Sequence, residues 1–85
     1  MSDVLLITGG GRGIGAATAR RAAEAGYAVA VNFVRDRTAA EATASSCRGA
    51  GVEAMAVAAD VRDEGQVATM FGAVTDRFGP IDVLV

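Results

Sequence analysis

Short apolar runs alternate with longer helix-like segments along the entire chain. Four runs of branched and small apolar residues predict β-strands, and their continuous hydrophobicity is typical of parallel strands buried on both faces. The segments between these runs are rich in helix-forming residues. The predicted strands cover residues 4–7, 27–34, 52–58 and 81–85, and the predicted helices cover residues 14–25, 38–48 and 63–78.

The predicted helices carry signals at their ends and on their buried faces. Thr38 and Glu41 match a capping box, and Asp63 with Gln66 forms a similar start for the third helix. The third helix also has the clearest apolar stripe, whose members recur three or four positions apart and are expected in the core. These members are Val67, Met70, Phe71, Val74 and Phe78.

The order of these elements predicts an α/β fold with a parallel sheet. Strands and helices alternate as βαβαβαβ, and right-handed crossovers place the strands most simply in the spatial order 3-2-1-4. The third strand is weakened by Glu53 and several alanines, which suits an outer position in the sheet. We expect the N-terminal half of a doubly wound domain, truncated after its fourth strand.

Composition narrows the range of partners. The formal net charge is −2, and all eight basic residues are arginines scattered along the 85-residue chain, so no basic stripe indicates nucleic acid or an anionic membrane. Cys47 is the only cysteine, which rules out a disulfide within the chain. Since no segment has the pattern of a signal peptide or a membrane span, a cytoplasmic location is expected.

The candidate chemistry lies in the glycine-rich stretch from Thr8 to Gly15, between the first strand and the first helix. Its glycines let another molecule approach the main chain, and the following helix directs unpaired amides at the turn, an arrangement that attracts phosphate. A P-loop is excluded because the chain contains no lysine. The common dinucleotide fingerprint also fails, because its last glycine would fall on Ile14 or Ala16.

The spacing of this stretch, Thr8-Gly9 followed by three residues and Gly13-Ile14-Gly15, resembles the short-chain dehydrogenase/reductase family. The resemblance continues in Asn32-Phe33, in Ala59-Asp60-Val61 and in residues 78–85, so it covers the whole chain. It implies a partial NAD(P)-binding Rossmann domain over residues 1–85. It also implies a longer parent enzyme that oxidises or reduces a small alcohol or carbonyl compound with a nicotinamide dinucleotide.

The resemblance further implies roles for particular residues. Gly9, Gly13 and Gly15 would form the turn around the pyrophosphate, and Thr8 would brace that turn. Asp60 would accept a hydrogen bond from the adenine amino group, although a loop or helix-capping role for its carboxylate is an alternative. The expected cofactor-binding residues are Thr8, Gly9, Arg12, Gly13, Ile14, Gly15, Asn32, Arg35, Asp60 and Val61.

The end of the second strand bears on the choice between NAD and NADP. The family's NAD-preferring members place an acidic residue there to accept from the ribose 2′-hydroxyl, whereas this chain has Phe33. Arg12 and Arg35, with Arg37 as an alternative, can hold a 2′-phosphate through paired hydrogen bonds. Asp36 lies close enough to compete for Arg35. NADP is therefore the favoured cofactor, and NAD is less favoured.

The residues that the family uses for hydride transfer have no counterparts in this chain. That chemistry depends on a serine, on a tyrosine and a lysine in a Tyr-x-x-x-Lys pair, and on an asparagine. Here there is no lysine, and the only tyrosine, Tyr27, begins the second predicted strand. We expect the chain alone to be inactive, and a homo-oligomer only for a full-length form. A non-enzymatic nucleotide-binding module, or an inactive truncated product, is the alternative.

Overall fold

The computed structural model describes residues 3–11 and 13–85. Its elements follow the predicted βαβαβαβ order. The strands are β1 (Val4–Thr8), β2 (Ala28–Phe33), β3 (Ala54–Ala58) and β4 (Val83–Leu84), and the helices are α1 (Gly13–Glu24), α2 (Arg37–Gly49) and α3 (Glu64–Phe78). None of the helices in these ranges has the length and apolar character needed to cross a lipid bilayer.

The four strands form one parallel sheet in the order β3-β2-β1-β4, which confirms the predicted topology. β3 occupies one edge, as its composition predicted, and β4 occupies the other. At the carboxyl end of the two central strands, Thr8 of β1 lies opposite Asn32 of β2. This edge of an open α/β sheet is where ligands bind.

An apolar layer covers each face of the sheet. On one face, α1 and α2 pack against Ile7 and the neighbouring strand residues of the same orientation. On the other face, α3 packs against Leu6 through Met70 and Val74. Adjacent residues of β1 contribute to opposite layers because side chains alternate along a strand. The predicted stripe of α3 is therefore largely core, with Val67 lining a cleft instead.

The start of α2 differs from the prediction. The expected capping box at Thr38 and Glu41 is wrong, because α2 already begins at Arg37. Its N-cap is Asp36, whose Oδ1 accepts a hydrogen bond from the Ala39 amide at 2.9 Å. An aspartate directly before the helix satisfies one of the free amides of the first turn, so the threonine lies within the helix.

The start of α3 matches its predicted signal in part. Asp63 is the N-cap, and its Oδ1 accepts from the Gln66 amide at 3.1 Å. The Gln66 side chain accepts from the Asp60 amide at 2.8 Å, through Oε1, rather than closing the box on the N-cap amide. Gln66 consequently ties the loop after β3 to the first turn of α3.

The two edge strands are shorter than predicted, whereas the bounds of the other elements differ by at most one residue. β3 lacks its first two predicted residues, and β4 covers only Val83–Leu84. Asp82 extends the attachment of β4, since its amide donates to the Val4 carbonyl at 2.9 Å and its Oδ2 accepts from the Val4 amide at 2.8 Å. A side chain thus replaces one rung of the strand ladder at this edge.

Candidate functional site

The glycine turn, residues 8–15, brings predicted phosphate-binding residues to the carboxyl edge of the sheet. Gly9 and Gly13 have φ angles of +65° and +55°, in the left-handed region that glycine adopts without strain. A Cβ at either position would have no described atom within 4 Å, so both border open space that a ligand can occupy. Arg12, which was predicted to hold a phosphate, lies outside the described residues.

Two other glycines of the turn are required by close packing. A Cβ on Gly15 would overlap the carbonyl oxygen of Gly9, and a Cβ on Gly10 would lie 2.8 Å from Cγ2 of Ile7. The start of α1 therefore lies directly against the turn. Its first turn contains no acidic residue, so the positive end of the helix dipole is not neutralised by a carboxylate of its own.

Thr8 and Ile14 lie at the two ends of this turn. Thr8 donates both its amide and its Oγ1 hydrogen to the carbonyl oxygen of Val85, over 3.0 Å and 3.1 Å, and so links the turn to the end of β4. The Ile14 side chain is 87% exposed at the beginning of α1. An apolar group is thereby left available for contact with a ligand at the turn.

Thr43 of α2 supports the glycine turn and was not identified from the sequence. It is 2% exposed, and its Oγ1 lies 3.3 Å from the Gly11 carbonyl oxygen and 3.2 Å from that of Ala39. The hydroxyl thereby connects the turn to α2. The available signal was a polar residue on the otherwise small and apolar buried side of a predicted helix.

A cleft of about 260 Å³ lies beside the turn at the carboxyl end of β2. Its lining residues are Gly9, Gly11, Asn32, Phe33, Val34, Arg35, Asp36 and Ala39. Phe33 is buried, and the Arg37 guanidinium lies over its ring with 4.9 Å between Cζ and the ring centroid. The structure therefore brings Arg35 and Arg37 to the same end of β2, next to the turn.

Asn32 also borders this cleft but has partners within the protein. It is 1% exposed, and its Nδ2 donates to main-chain carbonyl oxygens of Phe33, Val57 and Ala59. A direct contact between its amide and a cofactor stays a prediction.

Asp60 lies in the loop after β3, where its carboxylate is paired with Arg62. The Arg62 guanidinium donates from Nε to Oδ1 at 3.0 Å and from Nη2 to Oδ2 at 2.8 Å, and its amide also donates to Oδ1. These hydrogen bonds lower the pKa of Asp60 to about 2. The carboxylate is thus ionised at neutral pH and held within its own loop, while the helix cap is Asp63.

Val61 borders a second cleft, of about 320 Å³. The other lining residues are Thr8, Val67, Met70, Phe71, Leu84 and Val85. Val61 is 50% exposed, so its side chain is available for contact. Thr8 lines this second cleft, and Gly9 lines the first. The glycine turn therefore lies between a cleft next to α2 and a cleft next to α3.

The chemistry of this edge is that of an anion and nucleoside site. In ranges 3–11 and 13–85, no group of three or more histidine, cysteine, aspartate or glutamate residues is placed to hold a metal ion. What the edge offers is backbone amides at a helix start, an apolar floor at Phe33, and arginines at its rim. These groups suit phosphate and a flat organic ring.

The family model described as short chain dehydrogenase matches residues 3–85. The chain belongs to the short-chain dehydrogenase/reductase family. Among curated relatives, 3-oxoacyl-[acyl-carrier-protein] reductase FabG of Staphylococcus aureus is 41% identical over 85 residues, which are 100% of this chain and 35% of that protein. The chain therefore spans about a third of the length of this curated relative.

Solved structures of the family share this fold and include both nicotinamide cofactors. A Burkholderia cenocepacia protein described as a dehydrogenase, with bound NADP, has a TM-score of 0.92 and 36% identity over 98% of this chain and 32% of its own. An NAD+-bound xylitol dehydrogenase has a TM-score of 0.91 and 43% identity over 96% of this chain and 31% of its own. Short-chain dehydrogenase/reductases similar to this chain thus bind NADP or NAD.

Proposed function

We propose that this chain binds NADP as the nucleotide-binding part of an oxidoreductase that acts on an alcohol or carbonyl compound. The observation that carries the proposal is the glycine turn, which has open positions at Gly9 and Gly13 and lines the cleft at the end of β2 through Gly9. A phosphate group requires the open glycine turn at a helix start, and an adenosine requires the neighbouring cleft. When bound, NADPH would supply the hydride for such a reaction.

The pyrophosphate would lie over the turn. Gly9, Gly13 and Gly15 would line it, and the free amides at the start of α1, including that of Ile14, would donate to its oxygens. Thr8 would hold the turn in place through its two hydrogen bonds to Val85, the residue after β4. Arg12 would add a positive charge to this phosphate region.

The preference for NADP rests on the end of β2. Phe33 presents no carboxylate to a ribose 2′-hydroxyl, and Arg35 lines the cleft. The Arg37 guanidinium is already held against the Phe33 ring. It would therefore lose less conformational entropy on binding a 2′-phosphate than a freely moving side chain would. Asp36 lines the same cleft, and its negative carboxylate repels a phosphate. Its Oδ1 already accepts a hydrogen bond from the Ala39 amide.

Asp60 and Val61 would contact the adenine. Val61 would pack against the ring, and the Asp60 carboxylate, which is ionised at neutral pH, would accept from the amino group. Each carboxylate oxygen has more than one lone pair, so the pairing with Arg62 leaves acceptor capacity for the adenine.

Titration of the purified chain with NADPH and with NADH tests this proposal. We expect tighter binding of NADPH, a reversed preference in Phe33→Asp, and weaker NADPH binding in Arg35→Ala and Arg37→Ala. Arg77→Ala is the matched control, because Arg77 lies in the last turn of α3, next to Phe78, which shares a cleft with the first residues of β1 and β2. Tighter binding of NADH by the unaltered chain would overturn the preference, and binding of neither would overturn the proposal.

The same material tests whether the chain acts alone. Its only tyrosine, Tyr27, packs against the core beside α1, and the sequence has no lysine to lower a tyrosine pKa. We expect the chain to bind the nucleotide but to turn over no alcohol or carbonyl substrate. Turnover is measured by the change in NADPH absorbance. Turnover above a no-protein control would contradict this expectation.

A further inference from the structure

Asn32 closes the carboxyl end of the β2–β3 strand pair. Its Nδ2 lies 3.0 Å from the Ala59 carbonyl oxygen, 3.3 Å from that of Val57 and 3.4 Å from that of Phe33. With three acceptors converging on it, this atom must be the donating nitrogen, so the orientation of the amide follows from its surroundings. The side chain is 1% exposed.

The position of these bonds matters because β3 ends at Ala58. Beyond that residue the strands are held by the Ala59 amide, which donates to the Phe33 carbonyl at 3.0 Å, and by the bond from Asn32 to the Ala59 carbonyl. Asn32 therefore extends the attachment of β3 to β2 by one residue. The segment that follows directly is Asp60-Val61.

This attachment joins the two parts of the proposed adenosine site. One part is the cleft at the end of β2, which Asn32 itself borders, and the other is the loop after β3. A single adenosine can contact both only if their separation is fixed to within a fraction of an ångström, since small displacements strongly weaken a positioned site. Among the described residues, the hydrogen bonds of Asp60 are to groups of its own loop and of α3.

We propose that Asn32 is a positioning residue, which sets the distance between the end of β2 and the Asp60-Val61 segment so that both contact one adenosine. This inference rests on the proposed dinucleotide site. It assigns to Asn32 a role exerted through main-chain carbonyls rather than through contact with the cofactor.

The test compares Asn32→Leu and Asn32→Asp with the unaltered chain. Leucine has a similar volume but no donor, so amide hydrogen exchange in residues 57–63 should accelerate, and the Kd for adenosine 2′,5′-bisphosphate should rise about tenfold. Val74→Ala is the control for lost stability, because Val74 is fully buried in α3. This control should lower the midpoint of unfolding but leave the Kd of the folded protein unchanged.

Asn32→Asp supplies a readout that general destabilisation would not move. A carboxylate facing three carbonyl oxygens has a raised pKa, so the charged form should bind weakly at pH 8, and the protonated form should recover affinity at pH 5, where it can again donate. The charged groups on the adjoining segments are Arg35, Asp36 and Arg37 after β2, and Asp60, Arg62 and Asp63 between β3 and α3. At each pH the Kd of the variant is divided by the Kd of the unaltered chain. This ratio removes the effect of protonating these groups or the ligand, because both proteins share it.

The outcomes separate the two proposals. If the unaltered chain binds neither the bisphosphate nor NADPH, the proposed function fails and this inference fails with it. If the unaltered chain binds, but Asn32→Leu binds equally well or leaves exchange in residues 57–63 unchanged, only the positioning role is overturned. Accelerated exchange there, with weaker binding and recovery of Asn32→Asp at low pH, supports it.

Discussion

Substitution of Gly15 by alanine should disable the glycine turn while leaving the fold in place. Gly15 lies in the first turn of α1, and an added Cβ would overlap the carbonyl oxygen of Gly9. The next nearest atoms would be Cα of Gly10 at 3.0 Å and the carbonyl carbon of Gly9 at 3.1 Å. All of these are main-chain atoms, so relief requires the turn itself to move.

The size of the effect follows from these contacts. Carbon atoms pack at about 3.5–4.0 Å, so the turn and the helix must separate by roughly 0.5–1 Å. Overpacking of this kind destabilises by about 1–3 kcal/mol, and the better helix propensity of alanine offsets about 1 kcal/mol of that. A displacement near 1 Å in a positioned site weakens it by up to about 100-fold, so binding should suffer more than stability.

The assay is NADPH titration by fluorescence, together with urea unfolding followed by circular dichroism. Gly72→Ala is the matched control, because Gly72 lies within α3 and a Cβ there would have no described atom within 4 Å. We expect that control to stabilise the fold by about 1 kcal/mol and to leave the Kd unchanged. Gly15→Ala protein that binds NADPH as tightly as the unaltered chain would refute the reasoning.

Three further predictions concern the polar contacts that hold the loops and edges. Asp36→Ala should lower the free energy of unfolding by about 1 kcal/mol through loss of the α2 cap, whereas Thr38→Ala should change it by less than about 0.5 kcal/mol; a larger loss for the threonine in urea unfolding would contradict the cap assignment. The Asp60 carboxyl should titrate by NMR at about 2, and in Arg62→Ala near its ordinary value of 3.8. Because the pKa of Asp60 is depressed in the folded state, the stabilisation that its pairing with Arg62 gives the fold is present above pH 3.8 and is lost as the pH falls through about 2. An unchanged titration of Asp60 in Arg62→Ala would disprove that Arg62 lowers this pKa. Asp82→Ala should destabilise by about 1–3 kcal/mol by leaving the first amide of β1 unpaired, and Asp82→Asn, which keeps an acceptor, should restore most of that loss in the same unfolding assay; equal losses in both variants would count against the role of the hydrogen bond.

The topology of the fold could be predicted because its signals are local and its connections are constrained. Continuous apolar runs mark buried parallel strands, and crossovers of this length are right-handed, which leaves few possible strand orders. The start of α2 could not be predicted in the same way. Both Asp36 and Thr38 are residue types that cap helix N-termini. Which of them is the N-cap depends on where β2 ends and the chain turns into α2.

The site was identified only in outline by its sequence pattern. The glycine turn is a contiguous motif, and its strand–turn–helix context is visible without any tertiary information. The partners of its supporting groups are not contiguous, since Asn32 bonds to carbonyls 25 and 27 residues away and Thr43 bonds to Gly11, 32 residues away. No local pattern indicates such pairs.

The sequence by itself determined the element order, the family resemblance and the location of the glycine turn, because each depends on residues close together in the chain. Only the tertiary structure decided how those parts are held. It assigned Asp60 a partner in Arg62, turned the Asn32 amide onto the end of β3, and placed the Gly15 backbone against the carbonyl of Gly9. These arrangements arise from packing, which depends on distances between segments that the linear pattern does not encode.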